Sequence, residues 1–165
     1  MGYKVRVARN NLHFAASHFI TYGGKCEFLH GHNYSVSLEL EGPLTEDSFV
    51  FDFVALKKIA RKICETLDHR FLLPTRNPHL CIQHQDCHWQ IDYKESHYLF
   101  PEKDVKPLPL DNITAERLAE YIWGKVAHEV YNLGPHQLSS LTVGVEEAEG
   151  QVAYFSHAMT DGAEE

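Results

Sequence analysis

Residues 33–41 read NYSVSLELE and alternate without a break. Tyr34, Val36, Leu38 and Leu40 fall on one side, and Ser35, Ser37, Glu39 and Glu41 on the other. Strand side chains alternate between faces, so one face of this strand is apolar and the other polar. That pattern predicts an antiparallel sheet covered on one side only. Working outward, residues 3–9 show a shorter version of it. So do 138–146 (LSSLTVGVE) and 151–157 (QVAYFSH), joined by a glycine-containing turn.

Two segments carry the helical period instead. Across 52–67, Phe53, Leu56, Ala60, Ile63 and Leu67 form an apolar stripe opposite Lys57, Lys58, Arg61, Lys62 and Glu65, with Asp52 placed to cap the first turn. Across 115–133, Leu118, Ile122, Val126 and Val130 recur every four residues; Thr114 precedes them and Gly134-Pro135 follows. Between the helices, 78–101 reads as short hairpin segments (HLCIQH, HWQIDYK, SHYLFP). The order β-β-α-hairpin-α-β-β predicts an α+β domain, with two helices on one face of an antiparallel sheet.

The 165 residues suit one domain spanning 1–165, and the formal charge of −8 gives no general reason to bind nucleic acid or anionic lipid. No stretch approaches the roughly 20 apolar residues of a membrane span, and 1–10 has no apolar run of the signal-peptide kind. A cytoplasmic location with free thiols at Cys26, Cys64, Cys81 and Cys87 is therefore expected.

Just before the alternating strand stands KCEFLHGH, residues 25–32. His30 and His32 are two apart, so in extended chain both imidazoles face one side, and Gly31 lets the backbone come close. A third ligand is needed, and His18, at the end of an extended apolar segment, is the best candidate; His13 is a rival. Three neutral imidazoles with an open fourth position match a catalytic zinc centre, although imidazoles alone also suit iron, nickel or copper. HxH spacing equally marks a strand start with two half-exposed histidines. A second group, His79, Cys81, His84, Cys87 and His88, has enough donors for a closed site, but its spacing does not match the usual zinc turns.

Cys26 lies four residues before His30, where a dication favours thiolate; the plainer alternative is a small buried thiol. In Asp68-His69 a carboxylate can fix the tautomer of an imidazole, or both residues can simply end a helix. Glu146, at a strand end, can accept two hydrogen bonds from a planar amino-NH edge. Glu147 and Glu149 read as solvated.

FAASH (14–18), CEFLHGHNY (26–34), VFDFVALK (50–57), TLDHRFL (66–72), TAERLAEYI (114–122) and VGVEE (143–147) together resemble the 6-pyruvoyl-tetrahydropterin synthase / 6-carboxytetrahydropterin synthase family. The resemblance implies the tunnelling fold: four-stranded antiparallel sheets with two helices, assembled as a hexamer of two stacked trimers with active sites between subunits. It implies zinc on His18, His30 and His32, Cys26 as base, and Asp68 with His69 as a second proton-transfer pair. Glu146 becomes the pterin anchor and a catalytic relay residue, and Glu27 and Thr114 fall at the substrate pocket. The implied substrate is 7,8-dihydroneopterin triphosphate.

The three-residue gap between Cys26 and the HGH unit resembles the queuosine branch, which makes 6-carboxy-5,6,7,8-tetrahydropterin. Glu27 beside the thiol resembles a subgroup linked to side-chain cleavage, giving the hydroxymethyl pterin of folate synthesis. Elimination of triphosphate to the pyruvoyl product is a further branch, and a non-catalytic zinc- or pterin-binding assembly protein the alternative of another class. Three features depart from the family pattern: Ile113-Thr114-Ala115-Glu116-Arg117 in place of Pro-Thr-x-Glu-Asn, Glu146-Glu147 in place of Glu-Thr, and an insertion at about 74–110 carrying the extra hairpin.

Overall fold

The computed structural model describes residues 2–159. The first strand, β1 (Tyr3–His18), is much longer than the alternation at 3–9 suggests. The polar run Arg9-Asn10-Asn11 breaks the pattern in the sequence, and the pairing register shifts between Ala8 and His13 while the strand continues. Two short strands follow, β2 (Thr21–Tyr22) and β3 (Lys25–Cys26), then β4 (His30–Gly42). Helix α1 (Phe53–Leu67) starts at Asp52, whose carboxylate accepts from the Val54 and Ala55 amides as a cap should.

After α1 come β5 (Arg70–Pro74), β6 (Cys81–Gln85), β7 (His88–Tyr93), β8 (Ser96–Pro101) and β9 (Val105–Leu108). Helix α2 (Ala115–Asn132), β10 (Ser140–Ala148) and β11 (Gln151–Ala158) complete the order.

The main sheet has the order β11-β10-β4-β1-β5-β9. Its first four strands are antiparallel, as expected. The expectation of a four-stranded, purely antiparallel sheet is corrected at one edge, where β5 and β9 add parallel pairings. Phe71, Leu72 and Leu73 of β5 are all buried. A strand covered on both faces loses its alternation, so this one left no period-two signal. The short hairpin segments read at 78–101 form a three-stranded antiparallel sheet, β6-β7-β8.

Tyr34, Val36, Leu38, Leu40, Leu141, Val143 and Val145 are buried against the inner faces of α1 and α2 in one core. Phe53, placed in the apolar stripe of α1 by its spacing, is 48% exposed at the first turn. A smaller cluster of Phe19, Phe71, Leu73, Ile91 and Val105 attaches the three-stranded sheet, with Phe71 and Phe100 stacked at 4.5 Å. Leu38 sits at the centre of the main core with no exposed surface. Leu38→Ala is expected to cost about 2–5 kcal/mol. Calorimetry should show the melting temperature falling by roughly 2–4 °C per kcal/mol.

Candidate metal centre

The register of β1 with β4 sets His18 opposite His30 and Ala16 opposite His32. All three histidines therefore stand on the face that carries Tyr34, just beyond the end of the core. Their ring centroids are 4.6 Å (His18–His30), 5.2 Å (His18–His32) and 4.9 Å (His30–His32) apart. One ligand nitrogen from each lies within 4.8 Å of the others. Among the described residues this is the group of His, Cys, Asp and Glu side chains placed to hold a metal ion.

The rings are aimed by hydrogen bonds from behind. His18 is fully buried, and its Nδ1 donates to the Ile113 carbonyl at 2.9 Å. That choice of tautomer leaves the Nε2 lone pair facing the group. Burial pushes His18 down to about 4, against the opposing pull of the Ile113 carbonyl. It is thus the neutral imidazole a cation requires. His30 Nδ1 donates to the Phe28 carbonyl at 2.7 Å, which frees its Nε2 in the same way. The buried Nε2 of His32 has no hydrogen-bond partner. Two inward lone pairs and one orphaned buried nitrogen fit a divalent cation.

Oxygens surround these nitrogens. The Tyr34 hydroxyl is 3.2 Å from His18 Nε2. Glu27 Oε2, buried and without a hydrogen bond, is 4.0 Å from His30 Nε2. Glu147 Oε1 is 3.3 Å from His32 Nε2. Burial pushes the Tyr34 hydroxyl well above the usual tyrosine range, and the Glu147 and Glu27 charges add to that. Tyr34 is therefore a neutral donor at the site.

The other sequence candidates are placed as follows. Cys26 lies on β3 opposite Thr21, half-buried against the second apolar cluster and outside the imidazole group. Burial pushes its thiol up, and the neighbouring Glu27 charge adds to this. Its strand partner is anchored: the Asn112 side chain bonds both the Thr21 amide and the Thr21 carbonyl, and Asn77 donates to the Thr21 hydroxyl. Asn112 also accepts from the Ile113 amide, so one side chain links the backing of His18 to the ladder that holds Cys26.

Asp68 ends α1. It accepts from the Ala15 amide at 2.8 Å and pairs with His69 Nδ1 at 2.9 Å. The Ala15 amide, followed by His69, holds the Asp68 carboxyl below the usual carboxylate range. His69 adopts a left-handed φ of 54°, its amide donating to the Ala15 carbonyl. Its ring lines, with His32, Phe100 and Asp104, an open cleft of about 510 Å³.

Glu146 accepts from the Gly150 amide at 2.9 Å, in the turn between β10 and β11. The Thr114 hydroxyl caps α2 by accepting from the Arg117 amide. Neither joins the histidines within this chain. His13 is exposed, an odd number of residues from His18 and hence on the other face. In the group at 79–88, Cys81 pairs with Asp92 at one end of β6, while Cys87 stands in the turn at the other end. That separation keeps its thiols from converging.

Glu147 reads as solvated in the sequence, and the structure instead turns it to His32. The signal was the paired glutamates at a strand end. Glu147 continues the inward series Leu141, Val143 and Val145 of β10, which places it on the face of the histidines.

This arrangement has known relatives. Residues 7–158 match the family model for 6-pyruvoyl tetrahydropterin synthase. A protein of Methanocaldococcus jannaschii, provisionally named a 6-carboxy-5,6,7,8-tetrahydropterin synthase, is 34% identical over 145 residues, covering 87% of this chain and 89% of its own. The solved 6-pyruvoyltetrahydropterin synthase of Plasmodium vivax superposes with a TM-score of 0.91 at 33% identity, over 96% of this chain and 99% of its own. A variant of that enzyme, with alanine in place of a glutamate described as catalytic, superposes with the same TM-score of 0.91 at 32% identity, again over 96% and 99% of the two chains. The chain belongs to the 6-pyruvoyl tetrahydropterin synthase family.

Proposed function

We propose that this protein is a zinc-dependent lyase converting 7,8-dihydroneopterin triphosphate to 6-carboxy-5,6,7,8-tetrahydropterin, the queuosine-pathway reaction. The observation that carries the reading is the convergence of His18, His30 and His32, with His32 also lining the open cleft that His69 borders. Relatives named for the carboxy product support the choice of branch. The enzyme works in the cytoplasm as a hexamer of two trimers, with sites completed across subunits.

His18, His30 and His32 would hold the zinc. When bound, zinc supplies Lewis acidity toward the oxygens of the substrate side chain, which acidifies the neighbouring C–H bonds. Cys26 takes the first proton, its thiol held on β3 through the pairing with Thr21. The Asp68 carboxylate accepts from His69 Nδ1–H, so the other ring nitrogen, Nε2, is free to take and return the second proton. Glu146 receives the amino-NH edge of the pterin at the subunit boundary, where its carboxylate has capacity beyond the one Gly150 amide. Thr114 acts through its cap, holding the start of α2 and with it the Ile113 carbonyl behind His18.

A second reading is favoured by one observation: Glu27 Oε2 is buried, without a hydrogen bond, and aimed at His30. The glutamate described as catalytic in the P. vivax enzyme supports it. On this reading Glu27 takes the proton, and the side chain is cleaved to 6-hydroxymethyl-dihydropterin. Incubating the zinc-loaded protein with dihydroneopterin triphosphate and weighing the products decides between them. A carboxytetrahydropterin mass is expected. A hydroxymethyl mass transfers the proposal to Glu27, and unconverted substrate removes it.

A further inference from the structure

A second cavity, of about 540 Å³, opens at the far end of β4 from the histidines. At about 3.3 Å per residue, roughly 33 Å of strand separates His32 from Gly42. The cavity lies between the loop that follows β4, the last turn of α2 and the segment leading to β10. Its walls are held without any ligand. In the loop, the Thr45 amide donates to the Phe49 carbonyl at 2.8 Å and the Ser48 amide to the Thr45 carbonyl at 3.0 Å. Opposite, the Ser139 amide donates to the Glu41 carbonyl at 2.8 Å. Gly42 lets that segment pass so close that a Cβ would stand 3.2 Å from Leu138 Cα. A preformed hollow of this size falls within the roughly 300–1,000 Å³ of small-molecule sites.

The lining defines what it can take. Leu44, Phe49, Val50, Leu133, Pro135 and Leu138 make it apolar, and Leu133 and Phe49 stay 62% and 44% exposed. Two of its polar side chains are already engaged. Asp52 caps α1, and the Thr45 hydroxyl accepts from the Phe49 amide. His136 is different. Its Nδ1 accepts from the Leu138 amide at 3.3 Å, so the ring proton sits on Nε2. That N–H is buried and has no hydrogen-bond partner. A buried donor left unpaired costs about 1–3 kcal/mol, which an arriving acceptor would recover. The ring lies against that of Tyr131 at 5.0 Å, which limits its freedom to turn away. Glu46 and Asp52 also line the cavity, so an anionic acceptor is disfavoured.

We propose that this cavity binds an uncharged, ring-containing small molecule whose carbonyl oxygen or ring nitrogen accepts from His136 Nε2–H. The site is separate from the metal centre and does not depend on the metal reading. A triphosphate substrate is excluded from it by charge. A second copy of the chain could lie across Phe49 and Leu133, but a concave wall with one buried donor calls for an occupant that enters it.

The test uses benzophenone, two rings joined by one carbonyl, on the intact protein. Its affinity is measured by saturation-transfer NMR against diphenylmethane, which keeps the rings and lacks the acceptor, and against 4-benzoylbenzoate, which adds a negative charge. Ultraviolet irradiation then bonds benzophenone to the C–H groups it touches, and peptide masses locate it. Benzophenone is expected to bind about 5–10-fold more tightly than diphenylmethane and to label residues within 43–55 or 130–138. His136→Phe should abolish that preference while leaving diphenylmethane affinity unchanged. Equal binding of the two probes by wild type overturns the proposal, as does labelling elsewhere, no saturable binding, or a preference that survives in His136→Phe. Binding of 4-benzoylbenzoate as tight as that of benzophenone overturns the uncharged class. Light scattering of Leu133→Asp should show an unchanged assembly. A smaller assembly would assign this surface to a second copy of the chain and overturn the small-molecule reading.

Discussion

His30→Ala is expected to lose nearly all metal affinity while folding as well as the unsubstituted protein. The His30 ring is 39% exposed and contributes little to the core, so its removal opens no internal cavity. What it loses is one of three lone pairs. Structural zinc sites bind with about 10–16 kcal/mol from four donors, so one donor is worth roughly 2.5–4 kcal/mol. Affinity should fall by about two to three orders of magnitude. Chelator competition measures the loss, and calorimetry of the metal-free protein checks that the melting temperature is unchanged. His18→Ala loses the same donor but also unfolds more easily, because it strands the Ile113 carbonyl inside the protein. Full metal affinity in His30→Ala would remove His30 from the ligand set.

Cys26→Ala is expected to lower kcat by about 10²–10⁴, the usual contribution of a general base, while metal affinity stays within twofold. The two readouts separate because the thiol lies outside the imidazole group, on β3 against the second apolar cluster. Glu27→Gln should mainly reduce any hydroxymethyl product, since its carboxylate is the one facing His30. The adjacent pair thus offers two bases at one site, and the product ratio reports which of them acts. Retained turnover in Cys26→Ala, with loss in Glu27→Gln, would move the base from the thiol to the carboxylate.

The four antiparallel strands were readable because each is covered on one side, which writes a period of two into residues such as 33–41. Both helices were readable from their stripes and from caps that the structure confirms at Asp52 and Thr114. β5 and β9 were hidden because they are short and belong to a parallel edge, and Phe71-Leu72-Leu73 carries no alternation. The site followed the same division. His18, His30 and His32 converge as local spacing and one strand pairing require. Glu147 shares its side of the strand with Leu141, Val143 and Val145, but a carboxylate past the end of an apolar run reads as solvated until its cross-strand neighbours are known. The Ile113 carbonyl and the Asn112 clamp were hidden because they act across more than 90 residues through backbone groups.

The most direct measurement is anomalous scattering at the zinc edge from crystals of the zinc-loaded protein. A single strong peak per chain is predicted, about 2.0–2.1 Å from one nitrogen each of His18, His30 and His32. A peak among His79, Cys81, His84, Cys87 and His88 instead, or none in protein saturated with zinc, would contradict the account.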